Sequence, residues 1–193
     1  MPASSGDLLL QTNRLLLRLP EADDVDAMLQ FFAQNESHFA PTAPPRAATF
    51  GQAEYFEARI AAAHKEFAAR LGVQALLFEK ESAALIGTAT LSGVQRGPFM
   101  ACYLGYGIGK AHEGRGLMFE ALEALVAYAF DGLGMHRVMA NHLPDNERSA
   151  KLLARLGFEV EGLAKNYLFI NGAWRDHVLT ARTNADPRCV PHL

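Results

Sequence analysis

Apolar and polar positions alternate at the start of the chain. In LLLQTNRLLLRL, Leu8 to Leu19, Leu15 and Leu17 fall on one side and Leu16 and Arg18 on the other, the two-residue period of a strand that Pro20 ends. The period then lengthens: Val25, Met28, Leu29 and Phe32 stand at i, i+3, i+4 and i+7, one face of a helix whose first turn gathers the acidic residues of EADDVDAMLQFFAQN, where they suit the helix dipole. Residues 38–48, HFAPTAPPRAA, hold three prolines and predict an irregular loop. Thr49 and Gln52 form a capping-box pattern that starts a second helix, carried to about Arg70, with Phe56, Ile60, Ala63 and Phe67 as its buried face. VQALLFEK and ALIGTATLSGV read as two strands joined by a turn around Glu81 and Ser82, and MACYLGYGI, 100–108, as a third.

After Gly116 the spacing is helical again, through Leu117, Ala121, Leu125 and Tyr128 to near Gly132. HRVMANHL, 136–143, is a strand, and Asn146 to Leu156 a helix stopped by Gly157. Strands at 158–170 and 173–182 flank Asn171-Gly172, a strong hairpin signal. The polar, proline-containing stretch after Thr183 predicts a flexible tail, 184–193, behind a single domain spanning 1–183. The central order strand, Gly-rich turn, helix, strand is a βαβ unit, which places 100–108 and 136–143 in one sheet through a right-handed crossover. The antiparallel hairpins around it make the sheet mixed, so the class is α+β, or α/β with a mixed sheet.

Composition narrows the function. Of 193 residues, 50% are hydrophobic and 20% charged, ordinary globular usage. Eighteen basic against 21 acidic side chains, net −3, argue against a protein that coats DNA or RNA on its own. Cys102 and Cys189 lie far apart and match no Cys-x-x-Cys spacing, which suits a reducing compartment. Cys102 has no His partner nearby in sequence and reads as core rather than nucleophile. The seven histidines form no ligand cluster, so no metal is expected. Met1 to Asp7 lacks the basic start and apolar core of a secretory signal, and no apolar run nears the ~18 residues of a membrane span. The expectation is a soluble, cytoplasmic protein without membrane partners.

The chemistry concentrates in YGIGKAHEGRGLMFEAL. Gly114 and Gly116 sit between a strand end and a helix start, where bare backbone N–H groups meet the positive end of the helix dipole and can hold an anion. The nucleotide pattern Gly-x-x-x-x-Gly-Lys-Ser/Thr fails, because Leu104 stands at its first glycine and Ala111 at its hydroxyl. The dinucleotide pattern Gly-x-Gly-x-x-Gly fails too: Lys110, His112 and Phe119 occupy the third glycine from each starting point. The glycines equally suit a plain tight turn; Lys110, Arg115 and His112 tilt the reading towards phosphates.

Together, EGRGLMFEAL, NHLPDNERSAKLLARLGF, CYLGYGIG, MHRVMANHLPDN, EGLAKNYLFINGAWRDHVLTA and TNRLLLRL resemble the GNAT family, the Gcn5-related N-acetyltransferases, from about Leu8 to Thr183. The resemblance implies a central mixed sheet flanked by helices, acetyl-coenzyme A as co-substrate, and an amine as acceptor. It places the pyrophosphate over Ala111, His112, Glu113, Gly114, Arg115, Gly116 and Leu117, with Ala111 where the family has Gln or Arg. Tyr106, Gly107 and Ile108 would hydrogen-bond the pantetheine arm like an added strand, and the next strand would splay away at Asn141. Asn146 would contact the pantetheine, though it equally suits a helix N-cap. Lys151 and Arg155 either reach the 3′-phosphate or are solvated surface charges.

Leu153 stands where the family's common tyrosine acid would be. Related enzymes place a serine three residues after the Asn, which makes Ser149 the candidate acid or thiolate donor; the alternative is a serine that faces solvent or bonds back within its helix. Leu168 stands where related enzymes carry a glutamate base, so no base is inherited, and Glu161, Asp176 or backbone carbonyls are unranked alternatives. Trp174 and His177 either line the acceptor end or are a packed hairpin Trp and a satisfied His. The loop with His38, Phe39 and Pro41 would border the acceptor groove.

An α-amine, with a pKa of about 7.7–8.0, is roughly a tenth neutral at pH 7, whereas lysine, at about 10.4, is almost wholly charged. A site without a carboxylate base therefore suits N-termini. That agrees with the resemblance, which is strongest to the branch that acetylates an N-terminal Ala (or Ser) of a small-subunit ribosomal protein by direct attack on the thioester. Two alternatives are an acetyltransferase for a small-molecule amine, polyamine or antibiotic, and a ribosome-assembly factor with secondary coenzyme A binding.

Overall fold

Leu76 and Leu77 are adjacent and both buried, yet they serve different cores, because successive side chains of a strand point to opposite faces of its sheet. The computed structural model describes residues 8–186, and its centre is one eight-stranded sheet. The strands are β1 (Leu9–Gln11), β2 (Leu15–Arg18), β3 (Val73–Glu79), β4 (Leu85–Gln95), β5 (Ala101–Ile108), β6 (Arg137–His142), β7 (Glu159–Ile170) and β8 (Ala173–Thr183). Their spatial order is β1-β2-β3-β4-β5-β6-β8-β7. Among the described strands, the β5–β6 contact is parallel and the others are antiparallel. The helices are α1 (Val25–Gln34), α2 (Glu36–Phe39), α3 (Ala53–Ala68), α4 (Leu117–Asp131) and α5 (Glu147–Arg155).

The larger core joins α4, through Leu117, Ala121, Leu122 and Leu125, to Leu15, Leu17, Leu77 and Val138 of the sheet. It also takes in Leu153 of α5. On the other face, Met28 of α1 and Phe56 and Ile60 of α3 close over Leu76. The mixed sheet and the βαβ unit are as the hydrophobic periods predict.

Three local expectations change. Leu8 to Leu19 is a short hairpin rather than one strand: Thr12 Oγ1 accepts the Leu15 N–H at 2.9 Å, and Arg14 is drawn to Glu120 of α4, with its backbone N–H and Nε each 2.7 Å from the carboxylate. The 38–48 loop begins inside a helical turn, α2, because Phe39 N–H reaches the Asn35 carbonyl at 3.0 Å. The Thr49–Gln52 capping box does not form. Gln52 N–H donates to the Thr49 carbonyl at 3.0 Å and closes a turn there, so Gln52 itself precedes the first helical residue, Ala53. The tail expected after Thr183 lies, from residue 187 on, outside the described residues, as do Met1 to Asp7 and Cys189.

A clamp fixes the entry to α1. Arg18 donates two hydrogen bonds, 2.6 and 2.7 Å, to the buried Asp24 carboxylate, which also accepts the Glu21 N–H at 2.6 Å. Burial pushes the Asp24 carboxyl up, but the bonds and charge of Arg18 and the Glu21 N–H outweigh it and hold the group below its ordinary value. A carboxyl depressed in the folded state stabilises the fold above its unfolded pKa and loses that contribution as pH falls through the folded value. Asp24→Asn should therefore cost about 2 kcal/mol at neutral pH, since it leaves Arg18 without its partner. In urea unfolding, the gap from the parent chain should shrink as pH falls below the carboxylate range; a gap constant with pH would refute the assignment.

Candidate active site

The site begins where two strands part. β5 pairs with β4 as far as Ile108, but with β6 only from Ala101↔Arg137 to Tyr103↔Met139. Past that point β6 stays with β8 up to His142↔Val178. Leu104 to Ile108 therefore carry one set of backbone groups with no sheet partner, facing a wedge between β5 and β6. This is the splay that the family resemblance implies near Asn141.

The wedge opens into a cleft of about 940 Å³. Tyr106, Gly107 and Ile108 line one wall, His112, Glu113, Gly114, Gly116 and Leu117 its end, and Asn146 and Ser149 the facing helix. Gly107 allows the Phe39 ring to lie against its strand: a Cβ there would meet that ring at 3.3 Å. Asn35 anchors the start of the loop, its Oδ1 accepting the Lys110 N–H at 2.9 Å while its Nδ2 donates to the Phe31 carbonyl at 2.9 Å. Gly114 and Gly116 both adopt left-handed backbone, φ +73° and +74°, which a side chain would strain. The chain thus turns sharply into α4, and the first-turn N–H groups of that helix, which have no partner within it, face the cleft end.

Not every expected residue arrives. Ala111, Arg115 and Asn141 do not line the cleft. Arg115 is drawn to Glu79, 2.7 Å away, and its carbonyl accepts a bond from Arg14 at 2.9 Å, so its guanidinium serves the sheet edge instead of an anion. Lys110 is exposed and likewise absent from the lining. Four arginine and lysine side chains do line the cleft: Arg148, Lys151 and Arg155 on α5 and Arg175 on β8. Arg148 and Arg175 are the two the sequence reading missed; for Arg148 the helical spacing to Arg155, i and i+7, was the available signal. Arg148 and His38 both pair with Glu113, the latter at 3.5 Å, across the cleft. Lys151 pairs with Glu147 at 2.9 Å, and Arg155 stacks 4.6 Å above the Phe119 ring.

Asn146 caps α5, its Oδ1 accepting the Ser149 N–H at 3.1 Å, and lines the cleft as well, so its two expected positions coincide. Ser149 is half-buried beside the Tyr106 phenol. Burial pushes that phenol above its ordinary value, and the Ser149 hydrogen bond pulls the other way. Leu153 is buried in the core, so no hydroxyl takes the place of the missing tyrosine there.

Behind the wedge, Asn141 donates to the Tyr167 hydroxyl at 3.3 Å, and the Tyr167 ring rests against His177, centroids 5.7 Å apart. The hydrogen bond to Tyr103 and then burial push the Tyr167 phenol up. His177 is buried and bonded to the Arg175 carbonyl at 3.1 Å, the satisfied His of the sequence reading. Trp174 is not packed: it is 61% exposed, its ring meeting only the edge of Phe169 at 5.7 Å among the ring contacts. Neither Glu161 nor Asp176 lines the cleft. Glu161 is paired with Arg137, and the Lys165 ammonium and Asn166 N–H hold Asp176 below the ordinary carboxylate range. The proline-rich segment does border the cleft, through His38, Phe39, Pro41 and Thr42, and the hairpin tip reaches it: Asn171 N–H donates to the Ala43 carbonyl at 3.4 Å.

Cys102 sits within the core, where burial pushes its thiol up to about 12. Such a thiol is protonated at working pH and cannot carry an acyl group. Native-state treatment with iodoacetamide at pH 8 should leave Cys102 unmodified in peptide mapping, and denaturant should expose it; rapid native labelling would overturn this.

The Acetyltransferase (GNAT) domain model matches residues 14–159. The [Ribosomal protein uS5]-alanine N-acetyltransferase of Escherichia coli is 44% identical over 177 residues, 92% of this chain and 91% of that protein. The crystal structure of the ribosomal-protein-S5-alanine acetyltransferase from Vibrio fischeri is 35% identical and superposes with a TM-score of 0.88, covering 93% of this chain and 98% of that one. Mycobacterium smegmatis RimJ in complex with CoA-disulfide is 25% identical, with a TM-score of 0.84, covering 90% and 84%.

Proposed function

The chain belongs to the GNAT family of acetyltransferases, and we propose that it transfers the acetyl group of acetyl-coenzyme A to the α-amine of an N-terminal Ala or Ser on a small-subunit ribosomal protein, in the cytoplasm. The family and the ribosomal-protein acetyltransferases similar to it over nearly its whole length support the reaction class. The observation that carries the acceptor is the state of the cleft's carboxylates. Glu113 is held by Arg148 and His38, and Asp145 lies 3.8 Å from Arg175. Each already has a cationic neighbour, which weighs against either as a dedicated base for a lysine. An α-amine, partly neutral near pH 7, needs less help.

Acetyl-coenzyme A supplies an activated thioester; the amine nitrogen bonds to its acetyl carbon, the carbon–sulfur bond breaks, the amine's proton leaves to water and the thiolate is protonated. The chain's own part is mostly placement. The inner edge of β5 from Tyr106 to Ile108 offers backbone bonds to an amide-bearing arm. The first turn of α4, with Gly114 and Gly116, receives the diphosphate through backbone N–H groups, which survive the Ala111 replacement of the usual side chain. Arg148, Lys151 and Arg155 supply positive charge along the same cleft. Ser149, on the first turn of α5 and bonded to the Tyr106 phenol, donates to the departing sulfur.

Thiol release should occur with peptides beginning Ala or Ser. It should be absent with the same peptides blocked at the N-terminus but carrying an internal Lys, and with spermidine. Turnover confined to Lys or spermidine would overturn the acceptor assignment. The rate should climb with pH towards the α-amine pKa, as the neutral fraction grows. Ser149→Ala should lower kcat by about 10²-fold, the scale of a lost general acid, while coenzyme A still binds, measured by calorimetry; an unchanged kcat would remove Ser149 from the chemistry.

A further inference from the structure

The β7–β8 hairpin ends in two aromatic side chains that the core does not use. Phe169 and Trp174 face each other across the hairpin in register, 39% and 61% exposed, with rings edge to face at 5.7 Å. Neighbouring Ile170 is buried, so the tip is anchored while the pair projects. A large aromatic pair held rigid by cross-strand pairing and left in solvent costs solubility and adds nothing to the core, which marks it for a partner. Both residues lie beyond the 14–159 segment that matches the family model.

Position says which partner. The same hairpin tip borders the cleft: Asn171 and Arg175 line it, and Asn171 holds Ala43 of the proline-rich segment. Resting on the acceptor assigned above, we propose that Phe169 and Trp174 are the docking point for the folded body of the acceptor protein, downstream of the N-terminus that enters the cleft. A protein whose tail is threaded between the proline-rich segment and the hairpin brings its body against the outside of that hairpin. A tryptophan buried at the centre of such a contact is among the residues that dominate binding energy.

The test compares two acceptors, an intact small-subunit ribosomal protein beginning with Ala and a free peptide of its first eight residues, on the full chain and on Trp174→Ala and Phe169→Ala. For the intact protein, kcat/KM should fall about tenfold or more, through KM, the effect of truncating an interface aromatic. For the peptide, it should change less than twofold, which also shows that the variants are folded. Equal losses on both acceptors, or none on the intact protein, would overturn the docking role while leaving the acceptor assignment standing. A change of oligomeric state in Trp174→Ala, read by sedimentation, would assign the pair to self-association instead. Failure of the unaltered chain to acetylate either acceptor would overturn the acceptor assignment and this proposal with it.

Discussion

Two parallel strands that pair over only three residues govern the rest of the molecule. Between Ala101–Tyr103 and Arg137–Met139 the sheet is continuous; beyond them β5 follows β4 and β6 follows β8. A buried strand edge without partners is expensive, so the fold tolerates it only where a ligand can complete it. The helix after β5 starts at that gap and α5 starts just past β6. The parting thus gathers a strand edge, two helix starts and the proline-rich segment around one space.

Charge in that space is arranged by pairing. In the loop before α4, Glu113 pairs with Arg148 across the cleft, and the His38 ring lies 3.5 Å from the same carboxylate. Arg115, in the same loop, gives its charge away to Glu79. On the proposed function the loop meets the diphosphate through its backbone, with the glycine turns at 114 and 116 setting the N–H directions, and the lining cations come from α5 and from Arg175 of β8. A loop that relies on backbone donors tolerates an alanine at position 111.

Much of this was legible in the sequence because it was written in periodicity. The strand at 100–108, the helix after Gly116 and the Asn171-Gly172 hairpin follow from local rules, and so does the parallel β5–β6 pair, since no short turn can join parallel strands. The divergence past Tyr103 leaves no mark in either strand's own pattern; it came only through resemblance. Side-chain direction was the main loss. Arg115 and Lys110 seemed apt for phosphates by proximity along the chain, but Glu79 and solvent, remote or silent in sequence, decide where they point. Trp174 was expected to pack because tryptophans usually do, and the exposed hairpin gives it nothing to pack on. The Thr49 cap failed because Thr49 to Gln52 closes a turn of its own and the helix begins three residues later than the motif implies.

The bond between Asn171 and Ala43 ties two walls of the open cleft into a band. One side of the band is a spine of three residue pairs between β5 and β6; the other carries a clasp, a 3.4 Å hydrogen bond. Thermal motion opens a band at its weaker closure, so the sheet keeps its register while the clasp yields. A local opening there widens the cleft on the hairpin side and leaves the Ala101–Tyr103 pairing intact.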